Sequence, residues 1–303
     1  MYRVLIAILS VGLLAVGRPA DAALSVLTTT TDLAAIAQAV GGELVDAESL
    51  TPGTRDPHFA EARPSMIRKI YGADLLLVVG AQLEIGWLPA ALQAGRNARL
   101  TPGNPGYLDL SATVRLLDVR TGEISRAMGD VHAAGNPHYW LDPRNGRPVA
   151  RAIAARLVEL DPDNAGAYQK RLGAFEQQLD QGLGRWRAAM APLAGRKFLS
   201  YHRSMIYLAD AFEFELVGEI EPLPGISPTA SHLADLVNGV RADNVAGILI
   251  EPFYDPKPAE FVGRQTGAPV IVMPQSVGAL PGIETYFDLF DAIVAAFARA
   301  GTT

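Results

Sequence analysis

Between residues 165 and 190 the larger apolar side chains fall at Tyr168, Leu172, Phe175, Leu179, Leu183, Trp186 and Met190, spaced four, three, four, four, three and four apart. That spacing places all seven on one face of a single helix. At 1.5 Å of rise per residue such a helix is about 40 Å long, enough to run the height of two small lobes. Asp161-Pro162-Asp163-Asn164 breaks and re-caps the chain ahead of it, and Pro192 and Gly195 follow it. The rest of the chain has to be arranged around this rod.

On both sides of it, strand and helix patterns alternate. A short apolar run at 24–27 leads through Thr28-Thr29-Thr30-Thr31-Asp32 into a helical pattern at 33–40, stopped by Gly41-Gly42. Helical stretches follow at 65–71 and 87–94, and between them 73–80 (ADLLLVVG) is the continuous apolar run of a strand buried on both faces of a parallel sheet. A helix at 148–160, with Asp142 as an upstream cap, precedes the rod. Beyond it, strands are expected at 197–201, 213–220, 245–250 and 269–273, and helices at 204–212, 231–240, 258–266 and 284–300. The pattern predicts an α/β protein, two halves of parallel sheet and flanking helices bracketing a long helix. The expected division is 23–164, 165–193 and 194–303.

Residues 1–22 read as a cleavable export signal: Arg3 is the positive start, Val4 to Val16 is almost wholly apolar, and Ala20-Asp21-Ala22 is a small-x-small cleavage site. The apolar run falls short of the ~20 residues of a spanning helix. No cysteine follows it to carry a lipid, and none is needed for disulfides in a chain large enough to bury a real core. A soluble periplasmic protein is expected, not inserted in the membrane once the signal is removed. Without residues 1–22 the chain carries 24 basic against 31 acidic side chains, net −7. That balance argues against nucleic acid or an anionic membrane as partner and suits a cation.

Three of the five histidines stand at Pro-punctuated or strand-end breaks: His58 in Asp56-Pro57-His58, His138 in Asn136-Pro137-His138-Tyr139-Trp140-Leu141-Asp142-Pro143, and His202 in Leu199-Ser200-Tyr201-His202. Neutral imidazole is the commonest side-chain metal ligand, and three brought together would suit zinc. Ligands of open α/β sheets bind beyond the carboxyl ends of the strands, and His202 directly follows one. Two ligands would then come from the first half and one from the second. His232, inside the helix at 231–240, is expected to be a surface or packing residue. His132, six residues before His138, is at most an auxiliary metal contact.

The segments Asp56-Pro57-His58-Phe59 with Arg63-Pro64-Ser65, and Asn136-Pro137-His138-Tyr139-Trp140-Leu141-Asp142-Pro143, resemble the two N-lobe ligand motifs of the zinc/manganese solute-binding proteins of ABC transporters, the ZnuA/TroA-like cluster. The resemblance continues through Asp161-Pro162-Asp163-Asn164-Ala165, Tyr201-His202, Ile248-Leu249-Ile250-Glu251-Pro252-Phe253, and from Gly278 to Tyr286-Phe287, and so covers essentially the whole chain after the signal. It implies two Rossmann-like lobes joined rigidly by the long helix, metal held in the cleft between them, and His58, His138 and His202 as ligands. The family's fourth ligand is usually an aspartate after the penultimate strand. The matching position here is Gln275, a poorer zinc ligand than a carboxylate. Water, Gln275 or Glu251 are the alternatives for the fourth place, and Glu251 is equally suited to orienting a ligand histidine. The long His-rich acidic loop of the zinc members is reduced here to residues 124–135, with one histidine and Asp130.

Three imidazoles favour Zn²⁺ over Mn²⁺, which prefers oxygen. The resemblance therefore implies a monomeric binding protein that captures zinc and delivers it to the permease of an ABC importer, and that catalyses nothing. The alternatives are a manganese-binding member of the same family or a His₃ zinc hydrolase, against which stands the absence of any HExxH or GxSxG pattern.

Overall fold

The computed structural model describes residues 23–119, 132–223 and 225–301. It forms two α/β lobes. The first contains β1 (Leu24–Thr28), α1 (Thr31–Gly41), β2 (Val45–Ser49), α2 (Pro64–Gly72), β3 (Leu75–Val78), α3 (Leu88–Gly95), β4 (Tyr107–Asp109) and α4 (Gly146–Leu160). The long helix α5 occupies Ala165–Met190, the whole stretch over which the apolar spacing runs. The second lobe contains β5 (Lys197–Ser200), α6 (Ile206–Phe212), β6 (Glu215–Glu219), α7 (Ala230–Gly239), β7 (Gly247–Ile250), α8 (Lys257–Thr266), β8 (Val270–Val272) and α9 (Tyr286–Arg299).

Each lobe is a four-stranded, all-parallel sheet with the same strand order, β2-β1-β3-β4 in the first and β6-β5-β7-β8 in the second. The inner strands β3 and β7 are buried along their whole length, as the continuous apolar runs require. The edge strand β2 (VDAES) is polar and alternates between buried and exposed positions, and β4 has only three residues. Neither has the hydrophobic run by which the other strands are recognised in the sequence.

Helix α5 packs on α1, α4 and α9. Phe175 lies against Phe287 with ring centroids 5.1 Å apart, and Trp186 lies 5.0 Å from Phe290 while its indole donates to Asp291. One buried apolar cluster therefore runs from Val26 and Leu77 of the first sheet through Tyr168, Phe175 and Trp186 to Phe198 and Phe290 of the second lobe. Lobes that share a close-packed core resist hinge opening, because separating them would expose that apolar surface. Among the described residues no helix is long and apolar enough to cross a membrane. Of the short loop at 124–135, His132 onward is described and Asp130 lies outside the described residues.

Candidate metal centre

Both N-lobe histidines are built by the same three-residue device. In Asp56-Pro57-His58, the Asp56 Oδ1 accepts the backbone N–H of His58 at 2.9 Å and contacts its Nδ1 at 2.7 Å. In Asn136-Pro137-His138, the Asn136 Oδ1 accepts the His138 N–H at 3.0 Å and contacts Nδ1 at 2.9 Å. The short side chain closes an Asx turn on the residue two ahead, and the intervening proline supplies the fixed φ that the turn needs. An oxygen that already accepts an N–H accepts the ring proton too, so Nδ1 is the protonated nitrogen and the Nε2 lone pair faces away from the turn.

Each turn is tied to the opposite lobe. Tyr254 donates to Asp56 Oδ2 at 3.3 Å, and Tyr254 itself stacks on Tyr201, the residue before His202, with centroids 4.2 Å apart. Asn136 Nδ2 donates to the Arg203 carbonyl at 2.9 Å, and the Asn136 carbonyl accepts the Tyr207 hydroxyl at 2.7 Å.

His202 leaves the carboxyl end of β5, and Glu251 leaves that of β7. These strands are neighbours at the point where the strand order of the sheet reverses, the place where open α/β sheets gather ligands. The Nδ1 of His202 is held by Glu221 Oε2 at 2.8 Å. Glu251 instead receives the Ser204 hydroxyl on Oε1, while its Oε2 is buried with no hydrogen-bond partner among the described residues.

These elements bring His58, His138 and His202 together. One ligating atom of each lies within 4.8 Å of the others, and all three residues are buried. Ring centroids are 5.1 Å apart for His58 and His138, 5.5 Å for His58 and His202, and 5.1 Å for His138 and His202. The Nε2 of His138 is buried and finds no hydrogen-bond partner among the described residues. Small ring movements would bring the three nitrogens to the ~2.0–2.1 Å at which imidazole binds zinc.

His132 stands at the His58 corner of this triangle. Gln275 sits where the lobes meet: its carbonyl accepts the Trp140 indole N–H at 2.9 Å, and its buried side-chain Oε1 has no partner among the described residues. The next residues dock on α1, where Thr31 donates to the Val277 carbonyl at 2.7 Å and Asp32 accepts the Val277 N–H at 3.0 Å. His232 is away from the triangle, on α7, with Nε2 3.2 Å from the Glu219 carbonyl.

Electrostatics separates the histidines. Burial, reinforced by His202, His58 and His132, holds His138 well below the ordinary histidine range, so its ring is neutral at neutral pH. Burial and repulsion from His58 and His202 lower His132 to about 3. Burial pushes His202 down as well, but the Glu221 carboxylate, with Glu251 and Asp56, outweighs it and raises the ring above its ordinary value. Burial lifts Glu251 to about 7 against the pull of His202. For Asp56 burial is outweighed by its bonds to His58, and its carboxyl is lowered.

Asp56, Asn136 and Glu221, the groups that orient the rings, are not among the residues expected from the sequence to build the site. For the first two, the Asx-Pro-His spacing is itself the signal. Glu221 carries none, because it is 19 residues from His202 and reaches it only through the β5–β6 pairing.

Residues 26–300 match the model of the family described as ZnuA, zinc-uptake complex component A, periplasmic. The chain belongs to this family. ZnuA-family proteins are solute-binding components of metal uptake systems rather than enzymes, and they hand their ion to the permease of an ABC transporter. The high-affinity zinc uptake system protein ZnuA of Paracoccus denitrificans is 27% identical over 294 residues, covering 87% of each chain. The manganese ABC transporter substrate-binding lipoprotein PsaA of Streptococcus pneumoniae is 26% identical, with 82% of this chain and 78% of that protein covered. A crystal structure of ZnuA superposes with a TM-score of 0.76 at 25% identity, over 92% of this chain and 99% of that one. The ZnuA family thus has zinc and manganese relatives at nearly equal distance from this chain.

Proposed function

We propose that this chain captures Zn²⁺ through His58, His138 and His202 between its lobes in the periplasm, and presents it to the permease of an ABC importer. The observation that carries the reading is the triangle of buried imidazoles, each with Nδ1 engaged by an oxygen, which leaves three nitrogens to share one ion. A set of nitrogens favours zinc over manganese, since manganese prefers oxygen donors. The domain division at 164 and 193, removal of residues 1–22 on export, and a monomeric state belong to the same proposal.

Manganese is the second reading, and one observation favours it. Two buried oxygens, Glu251 Oε2 and Gln275 Oε1, have no partner among the described residues. Either would add the kind of donor that manganese takes. Metal analysis of protein isolated from its own periplasm, with competitive titration of zinc against manganese, separates the two. Zinc at one per chain and a large excess affinity for zinc are expected, and preferential retention of manganese would overturn the zinc assignment.

A further inference from the structure

We propose that His132 is the fourth ligand of this centre, supplying an imidazole beside His58, His138 and His202. The proposal rests on the reading of His58, His138 and His202 as the metal-holding set. The Nε2 of His132 lies 3.2 Å from the Nε2 of His58, and the two rings stack with centroids 5.3 Å apart and planes 27° apart. Two nitrogens bound at ~2.0–2.1 Å to one tetrahedral zinc are separated by about 3.3–3.4 Å. The pair is therefore already at the separation that a shared ion imposes. His58 cannot turn its other nitrogen to His132, because Asp56 holds Nδ1.

The position of His132 is also built. After β3 the chain passes through Gly80, Ala81 and Gln82, all at positive φ (77°, 48° and 69°). Two consecutive non-glycine residues in that region are costly and need support from their surroundings. Glu84 gives it, accepting the Val79 N–H at 2.8 Å and the Gly80 N–H at 3.2 Å. The turn presents Gln82, whose Oε1 accepts the N–H of Ala133 at 2.7 Å. Further along, Gly135 donates to the His132 carbonyl at 3.2 Å, and the Asn136 N–H donates to the Leu117 carbonyl at 2.8 Å. His132 is thus held on its C-terminal flank, immediately ahead of the turn that aims His138. In the loaded form its half-buried ring would have to turn from the His58 corner toward His138 and His202 to complete four nitrogens around one ion.

Such a site is neutral and all-imidazole. It would leave the full charge of the cation on the centre and strengthen the preference for zinc over manganese beyond what three imidazoles give. The competing account of the 3.2 Å contact is a hydrogen bond from His132 to the His58 lone pair, with no role for His132 in the loaded form.

Zinc-edge X-ray absorption and chelator competition on the zinc-loaded chain, for the wild type, His132→Ala and His138→Ala, separate these accounts. The expected result is four imidazoles in the wild type and three in His132→Ala. That variant should still bind one zinc, water taking the vacated fourth place, with affinity lowered by at least the ~10-fold that the loss of a merely supporting group costs, and His138→Ala should lose more. An unchanged imidazole count and affinity in His132→Ala, with loss in His138→Ala, would overturn the fourth ligand and leave the three-histidine site standing. Unchanged binding in His138→Ala as well would overturn the underlying site.

Discussion

The two lobes hold their histidines in different ways. On the N-lobe side the histidine and the group that aims it are two residues apart, in Asp56-Pro57-His58 and Asn136-Pro137-His138, so each ring is oriented by its own turn. On the C-lobe side His202 is aimed by Glu221, 19 residues away, and has the buried Glu251 as its electrostatic neighbour. The first arrangement is local in sequence, although each turn also bonds to the second lobe. The second exists only once β5, β6 and β7 are paired. Two of the rings also differ in charge: burial and the neighbouring histidines keep His138 neutral, whereas the Glu221 carboxylate favours a proton on His202.

The largest effects should come from removing a ligand. His58→Ala or His138→Ala is expected to lower zinc affinity by more than the ~100-fold that marks the upper range for supporting groups, read by chelator competition at neutral pH. Retention of wild-type affinity in either would break the N-lobe half of the comparison.

Next come the orienting groups. Asp56→Ala and Asn136→Ala are each expected to cost about 10–100-fold in affinity. Asp56→Asn keeps the acceptor oxygen of the turn and should retain most of it. Equal losses for Asp56→Asn and Asp56→Ala would mean that charge, and not the turn, aims His58.

The pH dependence tests the C-lobe side. Zinc must displace a proton from any charged imidazole. The ring of His202 is raised above its ordinary value near 6.5, so affinity should begin to fall on acidification while the pH is still above that value. Glu221→Gln removes the charge that raises it and should move the onset of the fall to lower pH. An onset unmoved in Glu221→Gln would show that Glu221 does not control the protonation of His202.

A smaller effect concerns the joint between lobes. Asp32, at the start of α1, is fully buried and raised to about 7, chiefly by burial, against a hydrogen bond from Val277. A carboxyl whose folded value lies above its unfolded value of about 3.9 contributes stability below that value and loses it as pH rises toward 7. Asp32→Asn should therefore raise the melting temperature relative to wild type at pH 8, with the gap narrowing as pH falls below 7 and closing at about pH 4. A pH-independent difference would contradict this. His232→Ala, away from the triangle, should leave zinc affinity unchanged.

How much of this could be read from the sequence follows the same division. The long helix was legible because Tyr168 to Met190 keeps one face over its whole length, and β3 and β7 because their apolar runs are unbroken. The edge strands β2 and β4 were missed: VDAES carries too little apolar character, and Tyr107–Asp109 is too short to show a period. At the site, the Pro-His motifs and the strand-end His202 singled out the three residues that the fold gathers. The Asx oxygens were visible in the motifs but were not assigned a role. Glu221 had no local signature, since a partner supplied by strand pairing leaves no pattern in the neighbouring residues. The contact between His132 and His58 depends on the turn at Gly80-Ala81-Gln82, whose left-handed backbone no propensity predicts for alanine and glutamine.

The central claim is that one ion is held jointly by both lobes, and His202 is the residue through which the second lobe takes part. The most direct test is zinc stoichiometry and affinity of the wild type and His202→Ala, by chelator competition on the full chain at neutral pH. The account predicts one zinc per wild-type chain and a loss of more than about 100-fold in the variant. Equal affinity in the two proteins would place the ion within the first lobe and contradict a site shared between them.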